Sequence, residues 1–249
     1  MSTGTVLITG ASSGLGEQMA RQFADLGYDL ALCARRHPRL MALKTEIESD
    51  HPTCKVQIAS FDVTDDQAVA TVFDEFHRTC GTIDRVIVNA GVGSGAALGT
   101  GRHAANRATA MTNFVGALTT AEYAMQIFRT QQHGHLVFIS SISALRGMRK
   151  SMTTYAATKA GIAAIAEGLR AEHIPGIEVS VIYPGYIRSE MNAAVADQTR
   201  FMVDTETGVR AIVEAIEKRR DRAYVPRWPW APIGVAVKHL PDRLARRLM

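Results

Sequence analysis

The sequence predicts an α/β fold, in which helices cover both faces of a parallel β-sheet, in a single domain that carries a C-terminal extension. Short apolar or β-branched segments alternate with longer helical patterns, and this alternation favours right-handed crossovers between parallel strands. The chain has 249 residues, of which 47% are hydrophobic and 21% are charged. These values are ordinary for one doubly wound globular domain.

The predicted elements follow one another along residues 1–225, the main domain. Seven strands are predicted at residues 5–9, 29–33, 55–60, 85–89, 135–140, 178–183 and 223–225, and helices near 14–26, 37–49, 65–79, 102–131, 153–173 and 207–219. Gly27 suits the position that follows a helix end, and Thr64 with Gln67 matches a capping box at the third helix. Residues 226–249 form the extension.

Positive charge is concentrated at the C-terminal end. Residues 218–249 contain nine Lys or Arg and two Asp, whereas the rest of the chain is slightly acidic although the net charge is +4. A nucleic-acid-binding protein would show basic residues across a folded surface, so we expect no nucleic-acid partner. Trp228 and Trp230 beside an apolar stretch suit contact with an anionic membrane surface. Packing of the extension as a lid or against a second subunit is an equal alternative.

The three cysteines indicate a reducing compartment. Cys33, Cys54 and Cys80 are scattered without paired spacing, so neither a disulfide framework nor a zinc site is expected, and no other metal site is predicted. No segment reaches the ~18 apolar residues of a membrane span, and the first residues do not resemble a signal peptide. We therefore expect a cytoplasmic protein whose only membrane contact would be peripheral.

A glycine-rich turn, TGASSGLG at residues 9–16, lies between the first strand and the first helix. Glycines at such a turn let the backbone approach a pyrophosphate, whose charge meets the N–H groups at the helix N-terminus. The turn predicts a dinucleotide-binding site. Its residues are Gly10, Ser12, Ser13, Gly14, Leu15 and Gly16.

Arg35 and Arg36 follow the second strand, where a site selective for NAD usually places an acid on the ribose 2′-hydroxyl. A guanidinium there can pair with a 2′-phosphate. This favours NADP(H) over NAD(H), the alternative being that both arginines are simply solvated at a helix start.

Tyr155 and Lys159 are four residues apart, a spacing that places both side chains on one face of a helix. A free phenol has a pKa of about 10, and a positive charge within about 4–6 Å favours the phenolate. The pair is therefore a candidate acid–base centre.

Six motifs occur along the chain at fitting intervals: the turn at residues 9–16, Asn89-Ala90-Gly91, Asn113, Ser140-Ser141, Tyr155-x-x-x-Lys159 and Pro184-Gly185. In this order they closely resemble the short-chain dehydrogenase/reductase family, over about residues 4–225. The resemblance implies a Rossmann-like sheet of seven strands, a nicotinamide cofactor, and hydride transfer between that cofactor and a carbonyl or alcohol. We also expect a homo-oligomer, either a dimer or a tetramer.

The resemblance implies roles for individual residues. Tyr155 would be the acid–base residue, Lys159 would lower its pKa and hold the nicotinamide ribose, Ser141 would bind the substrate oxygen, and Asn113 would help to hold a water. The remaining cofactor contacts implied are Asp62, Val63, Asn89, Ala90, Gly91, Pro184, Gly185, Ile187 and Ser189.

Two departures from the family pattern lie near the catalytic serine. Ser141 is fourteen residues before Tyr155, one more than the commonest spacing, and Arg149 replaces a frequent proline. If the loop at 142–150 absorbs the extra residue, Ser141 stays the catalytic serine and Ser140 is its structural neighbour; Ser143 is the alternative. The loops expected over the substrate, at residues 92–101, 142–151 and 186–202, are largely small or apolar and favour a hydrophobic substrate. A non-catalytic cofactor sensor or scaffold on the same fold is the competing function.

Overall fold

Seven parallel strands form one central sheet. The computed structural model describes residues 2–93, 95–192 and 201–241. The strands are β1 (Thr5–Thr9), β2 (Asp29–Ala34), β3 (Val56–Ser60), β4 (Arg85–Val88), β5 (Gly134–Ile139), β6 (Ile177–Pro184) and β7 (Arg222–Val225). They pair in the order β3-β2-β1-β4-β5-β6-β7, which confirms the predicted fold class.

Helices connect the strands. They are α1 (Gly14–Asp25), α2 (His37–Asp50), α3 (Asp66–Cys80), α4 (His103–Ala110), α5 (Gly116–Gln131), α6 (Met152–Ala171), α7 (Thr205–Glu217) and α8 (Arg227–His239). A π-helical turn at Met111–Val115 joins α4 to α5, and a 3-10 turn at Ile142–Leu145 follows β5.

Both faces of the sheet are buried, because successive side chains of each strand point to opposite faces. In β1, Val6 and Ile8 pack into the core under α1, α2 and α7. Leu7 faces the other core, under α3, α5 and α6. Continuous apolar strands are typical of parallel sheets covered on both sides.

The helix predicted over residues 102–131 is helical from His103 to Gln131, and one π-helical turn within it contains Asn113. The capping box predicted at Thr64 and Gln67 was wrong. The N-cap of α3 is Asp65, whose carboxylate accepts from Ala68 N at 3.1 Å. The hydroxyl of Thr64 instead donates to Asp62 at 2.9 Å, so it is engaged before the helix begins. Gly27 does follow the end of α1, with a φ of +82°.

The strand order reverses between β1 and β4, and in open α/β sheets this switch point marks the ligand crevice at the carboxyl ends of the strands. The extension lies at the other edge, where α8 packs against β7 and the 3-10 turn. Trp230 in α8 is buried, whereas Trp228 is 79% exposed. Within the described ranges no helix is both long and apolar enough to cross a membrane. Residues 242–249, which carry the rest of the basic tail, lie outside these ranges.

Candidate active site

One cleft, with a volume of about 230 Å³, opens at the carboxyl ends of β1, β2, β4, β5 and β6. It brings together every predicted site residue except Gly16 and Asn113, which lie just behind its wall. Residues far apart in the sequence therefore form one site. The cleft also contains Phe61 and Thr112, which the sequence did not indicate, and Val92, Glu190 and Met191, which belong to the loops expected over the substrate.

The glycine-rich turn is packed too tightly for side chains at two of its positions. A Cβ on Gly10 would lie 2.8 Å from the Cα of Ala90, and its φ is +71°. A Cβ on Gly16 would collide with the carbonyl oxygen of Gly10. The bare backbone leads into the N-terminus of α1, whose N-cap Ser13 makes no side-chain capping bond. This cradle fits the phosphates of a dinucleotide.

Thr9 and Asn89 fasten this cradle to the neighbouring strand. The hydroxyl of Thr9 accepts hydrogen bonds from the backbone N–H groups of Asn89 (3.1 Å) and Ala90 (3.2 Å). The Asn89 amide donates to the Thr9 carbonyl at 2.9 Å. Thr9 is a supporting residue that the motif analysis did not single out, although it immediately precedes Gly10.

The two arginines after β2 occupy different positions. Arg36 donates from Nε to Ser12 Oγ at 3.1 Å and from Nη2 to the Ser12 carbonyl at 3.4 Å, so it lies over the glycine-rich turn. Arg35 is 63% exposed and lies 3.5 Å from Asp62 Oδ2. Asp62 in turn accepts from Thr64 N at 3.0 Å. Val63 is buried against Gly116. Two guanidiniums thus border the end of the cleft where α2 begins.

Lys159 is the buried cation at the opposite end of the cleft. It is 5% exposed, and its ammonium donates to the Ile139 carbonyl at 2.8 Å. Its Nζ lies 5.9 Å from the ring centroid of Tyr155. Ser140 donates to the Lys159 carbonyl at 2.8 Å, which places Ser140 in the supporting position predicted for it. Helix α6 is therefore fixed to the end of β5.

Ser141, and not Ser143, faces the cleft together with Tyr155. Ser141 is the N-cap of the 3-10 turn and accepts from Ser143 N at 3.2 Å. Burial raises the pKa of the Tyr155 phenol above its usual value, and hydrogen bonding to Ser141 acts in the opposite direction. The loop at 142–150 thus absorbs the extra residue of sequence spacing.

The electrostatic balance of the pair differs from the sequence-based expectation. We expected Lys159 to depress the pKa of Tyr155, but burial lowers the pKa of Lys159 itself to about 8 and raises that of the phenol. Removal from water disfavours the charged form of each group. At neutral pH the phenol is therefore protonated. The Lys159 ammonium beside it gives up its proton more readily than the ammonium of a solvated lysine.

Asn113 lies in the π-helical turn and is fully buried. Its Oδ1 accepts from Val92 N at 2.7 Å and its Nδ2 donates to the Val92 carbonyl at 2.8 Å. A Cβ on Gly91 would lie 3.3 Å from Asn113 Oδ1 and 3.5 Å from Lys159 Nζ. The two side chains therefore converge behind Gly91. Single π turns inside α-helices are frequent at functional sites.

The loop after β6 closes the cleft. Gly185 N donates to the Val225 carbonyl at 2.8 Å, and Ile187 is buried in a bridge to Val203. Trp230 of the extension lies against Gly185, where its indole would collide with any Cβ. The Trp230 ring also packs edge-on against Tyr186, with centroids 5.3 Å apart. The extension thus packs against this loop and supports it.

No group of His, Cys, Asp and Glu among the described residues could hold a metal ion.

Comparison with known proteins places this geometry in context. The sequence matches the short chain dehydrogenase family over residues 4–200. An uncharacterized oxidoreductase of Mycobacterium tuberculosis is 51% identical over 97% of this chain and 96% of its own. Dehydrogenase/reductase SDR family member 7B of Bos taurus is 31% identical over 98% of this chain and 79% of its own.

Solved structures share the fold. A short chain dehydrogenase/reductase from Burkholderia phymatum in complex with NAD superposes with a TM-score of 0.83, at 18% identity, over 99% of this chain and 95% of that one. A gluconate 5-dehydrogenase from Burkholderia cenocepacia in complex with NADP and tartrate gives 0.81, at 23% identity, over 90% and 94%. At these identities the likeness concerns the fold alone.

Proposed function

The chain belongs to the short-chain dehydrogenase/reductase family of oxidoreductases, and from that premise we propose that it is an NADP(H)-dependent enzyme acting on a hydrophobic carbonyl or alcohol. The observation that carries the proposal is the convergence of Tyr155, Ser141 and the buried Lys159 in the cleft that also contains the glycine-rich cradle. A scaffold or cofactor sensor would not require a phenol, a hydroxyl and a buried ammonium around one point.

The roles of the residues follow from their positions. When bound, the nicotinamide supplies or accepts the hydride. Tyr155 holds the proton at its phenolic oxygen and delivers it to the substrate oxygen, as a general acid. Ser141 donates to the same oxygen and stabilises the negative charge that develops there. Burial raises the pKa of the phenol, so the hydroxyl is protonated at neutral pH and can act as the acid that carbonyl reduction requires.

The family resemblance, together with the lining of the cleft, supports a set of cofactor contacts. Gly10, Ser12, Ser13, Gly14, Leu15 and Gly16 would hold the pyrophosphate, Asp62 and Val63 the adenine, and Asn89, Ala90 and Gly91 the central part of the cleft. Pro184, Gly185, Ile187 and Ser189 would hold the carboxamide end, and Lys159 the nicotinamide ribose. Asn113 would hold a water from behind Gly91.

Support for NADP(H) comes from Arg35 and Arg36, which border the end of the cleft where α2 begins. Charge-assisted bonds from guanidinium to phosphate are strong and directional. Arg36 is already oriented by Ser12, whereas Arg35 is exposed and its contact with Asp62 is 3.5 Å long.

Binding titrations test the cofactor preference. We expect wild-type protein to bind NADPH more tightly than NADH, and Arg35→Asp to weaken NADPH by about tenfold or more, the scale of one lost charged hydrogen bond, with a much smaller loss for NADH. Equal losses for the two cofactors would show that Arg35 does not face the 2′-phosphate and would transfer the role to Arg36 or Ser12.

A substrate screen tests the activity. Purified protein with NADPH, offered a panel from small ketones to long-chain and steroid-like carbonyls, should oxidise NADPH fastest with apolar members. Cofactor binding without turnover on any carbonyl or alcohol would favour the sensor or scaffold function instead.

The homo-oligomer, the cytoplasmic location and the peripheral membrane contact belong to the same proposal. The exposed Trp228 beside Arg227 supports a surface contact of α8, and the burial of Trp230 supports packing of the extension on its own domain. Light scattering of the full chain tests the oligomer, and a dimer or tetramer is expected. Sedimentation of the chain with anionic vesicles, abolished by added salt, would support the membrane contact.

A further inference from the structure

A short segment after the nicotinamide loop crosses the mouth of the cleft. Ser189 lies against the glycine-rich turn, 3.4 Å from where a Cβ on Gly14 would be. Met191 reaches the opposite wall, where its Cγ would lie 2.9 Å from a Cβ on Gly93. Glu190 is between them. Residues 189–191, called here the strap, therefore connect the two walls of the cofactor cleft.

Glu190 fastens the strap to the arginines of α2 and its N-cap. Its carboxylate lies 3.1 Å from Arg36 Nη1 and also accepts from Arg39. These two hydrogen bonds, Arg39 first, hold the pKa of Glu190 below its usual value. Asn192 braces the turn, because its side chain accepts from Ser189 N at 2.9 Å and donates to the Ile187 carbonyl at 2.8 Å. The carboxylate is thus held toward Arg36 by the fold of the segment itself.

Arg36 has few donors left for another anion. A guanidinium has five N–H donors, and Arg36 directs four contacts to Glu190, the Ser12 hydroxyl, the Ser12 carbonyl and the Ser13 hydroxyl. A phosphate that pairs with Arg36 must therefore share the guanidinium with Glu190 or displace it. Two anions on one cation repel each other.

We infer that Glu190 is a specificity-determining residue that competes with the 2′-phosphate of NADP(H) for Arg36, and so sets how strongly the enzyme distinguishes NADPH from NADH. The inference rests on the proposed use of NADP(H). NADH has no 2′-phosphate, so its binding leaves the Glu190–Arg36 pair intact. NADPH must loosen that pair, which also frees one attachment of the strap to α2 and its N-cap.

Neutralising Glu190 tests the competition. Glu190→Gln keeps the size of the side chain and removes the charge, so the dissociation constant for NADPH should fall about two- to fivefold, the scale of an exposed ion pair, while that for NADH stays unchanged. The matched control is Glu206→Gln, which removes another exposed carboxylate that is paired with an arginine, Arg210, at 2.6 Å. It should change neither constant.

Added salt gives a second measurement. The gain in NADPH affinity of Glu190→Gln over wild type should shrink between low and 0.3 M salt, because exposed charges are screened within a Debye length of about 10 Å or less. Weaker NADPH binding by Glu190→Gln, an equal shift for both cofactors, or no shift at all would overturn the inference.

Fragments of the cofactor separate this inference from the proposed function. If wild-type protein binds NADPH no more tightly than NADH, the proposed preference fails. Titration with 2′,5′-ADP, which has the 2′-phosphate, and with 5′-AMP, which lacks it, then still tests the role of Glu190. Tighter binding of 2′,5′-ADP alone by Glu190→Gln supports the competition for Arg36, and identical behaviour of the two fragments refutes it.

Discussion

Two buried cations lie at opposite ends of the same sheet, and their surroundings differ. Arg85, 4% exposed at the start of β4, donates to His135 Nδ1 at 3.1 Å and to Glu217. Its guanidinium also lies 5.4 Å from the ring centroids of Phe23 and Tyr28. Lys159, 5% exposed at the end of β5, has the Ile139 carbonyl as its hydrogen-bond partner and no acidic partner among the described residues.

The difference separates a structural charge from a functional one. Arg85 is paired with Glu217 and supported on several sides, and these contacts offset part of the cost of burying its charge. Lys159 lacks such compensation, and its burial lowers its pKa to about 8. A strongly perturbed group in a cleft is a candidate for chemistry, whereas a satisfied one stabilises the fold. We therefore expect the cluster at the amino ends of the strands to serve stability and the carboxyl ends to serve the proposed reaction.

The largest expected effect is on turnover at the carboxyl end. Tyr155→Phe removes the phenolic hydroxyl and keeps the ring, so turnover should fall by at least ~10²-fold, the usual scale of a general acid–base group. Cofactor affinity and thermal stability should be unchanged. Near-normal turnover of the Phe variant would remove Tyr155 from the proposed mechanism.

Lys159→Met should separate function from stability. The variant should lose at least ~10²-fold in turnover, the scale of a removed electrostatic stabiliser, and should bind cofactor less tightly. Its free energy of unfolding should stay within ~1 kcal/mol of wild type or rise, since an apolar residue replaces a poorly compensated buried charge. Urea denaturation measures the stability. A large loss of stability with turnover retained would assign Lys159 to the fold.

Arg85→Met should give the opposite pattern. Removing the guanidinium leaves Glu217 and His135 without their shared donor, which should lower the free energy of unfolding by about 2–3 kcal/mol. This loss is below the range for a fully buried pair, because Glu217 is partly exposed. Turnover per folded molecule should match that of wild type. Unchanged stability would mean that the amino-end cluster does not stabilise the fold.

The sequence predicted one of these two regions and missed the other, for physical reasons. The Tyr155–Lys159 spacing and the glycine-rich turn are local patterns, and local geometry fixes what they present. Arg85 lies in a segment that reads only as an apolar strand, and its partners His135 and Glu217 are 50 and 132 residues away. Nothing in the sequence pairs them before the sheet is assembled.

The same reasoning explains what was missed at the site. Fold class, strand number and the cleft residues follow from alternation and motifs. The π-helical turn at Asn113 has no glycine or proline to mark it, so residues 102–131 read as one helix. Glu190 meets Arg36 across 154 residues, and Trp230 reaches Gly185 from the extension. These contacts depend on tertiary packing, which no local pattern encodes.

The smallest predicted effect is the pH dependence of stability at the amino end. Burial foremost, and then the charge of Arg85, lowers the pKa of His135 to about 3, against about 6.5 in the unfolded chain. Between these values the unfolded chain holds a proton that the folded protein does not, so the free energy of unfolding falls as the pH drops through this window. From pH 7 to 5.5 the contribution of His135 should be about 1 kcal/mol.

Urea denaturation of wild type and His135→Gln at both pH values isolates this contribution, because other titrating groups are common to both proteins. Lys159 acts in a separate window, since its lowered pKa makes stability rise from about pH 8 toward 10.5. If wild type and His135→Gln lose equal stability on acidification, the imidazole is not held neutral in the folded protein, and the amino-end cluster carries more charge than its geometry indicates.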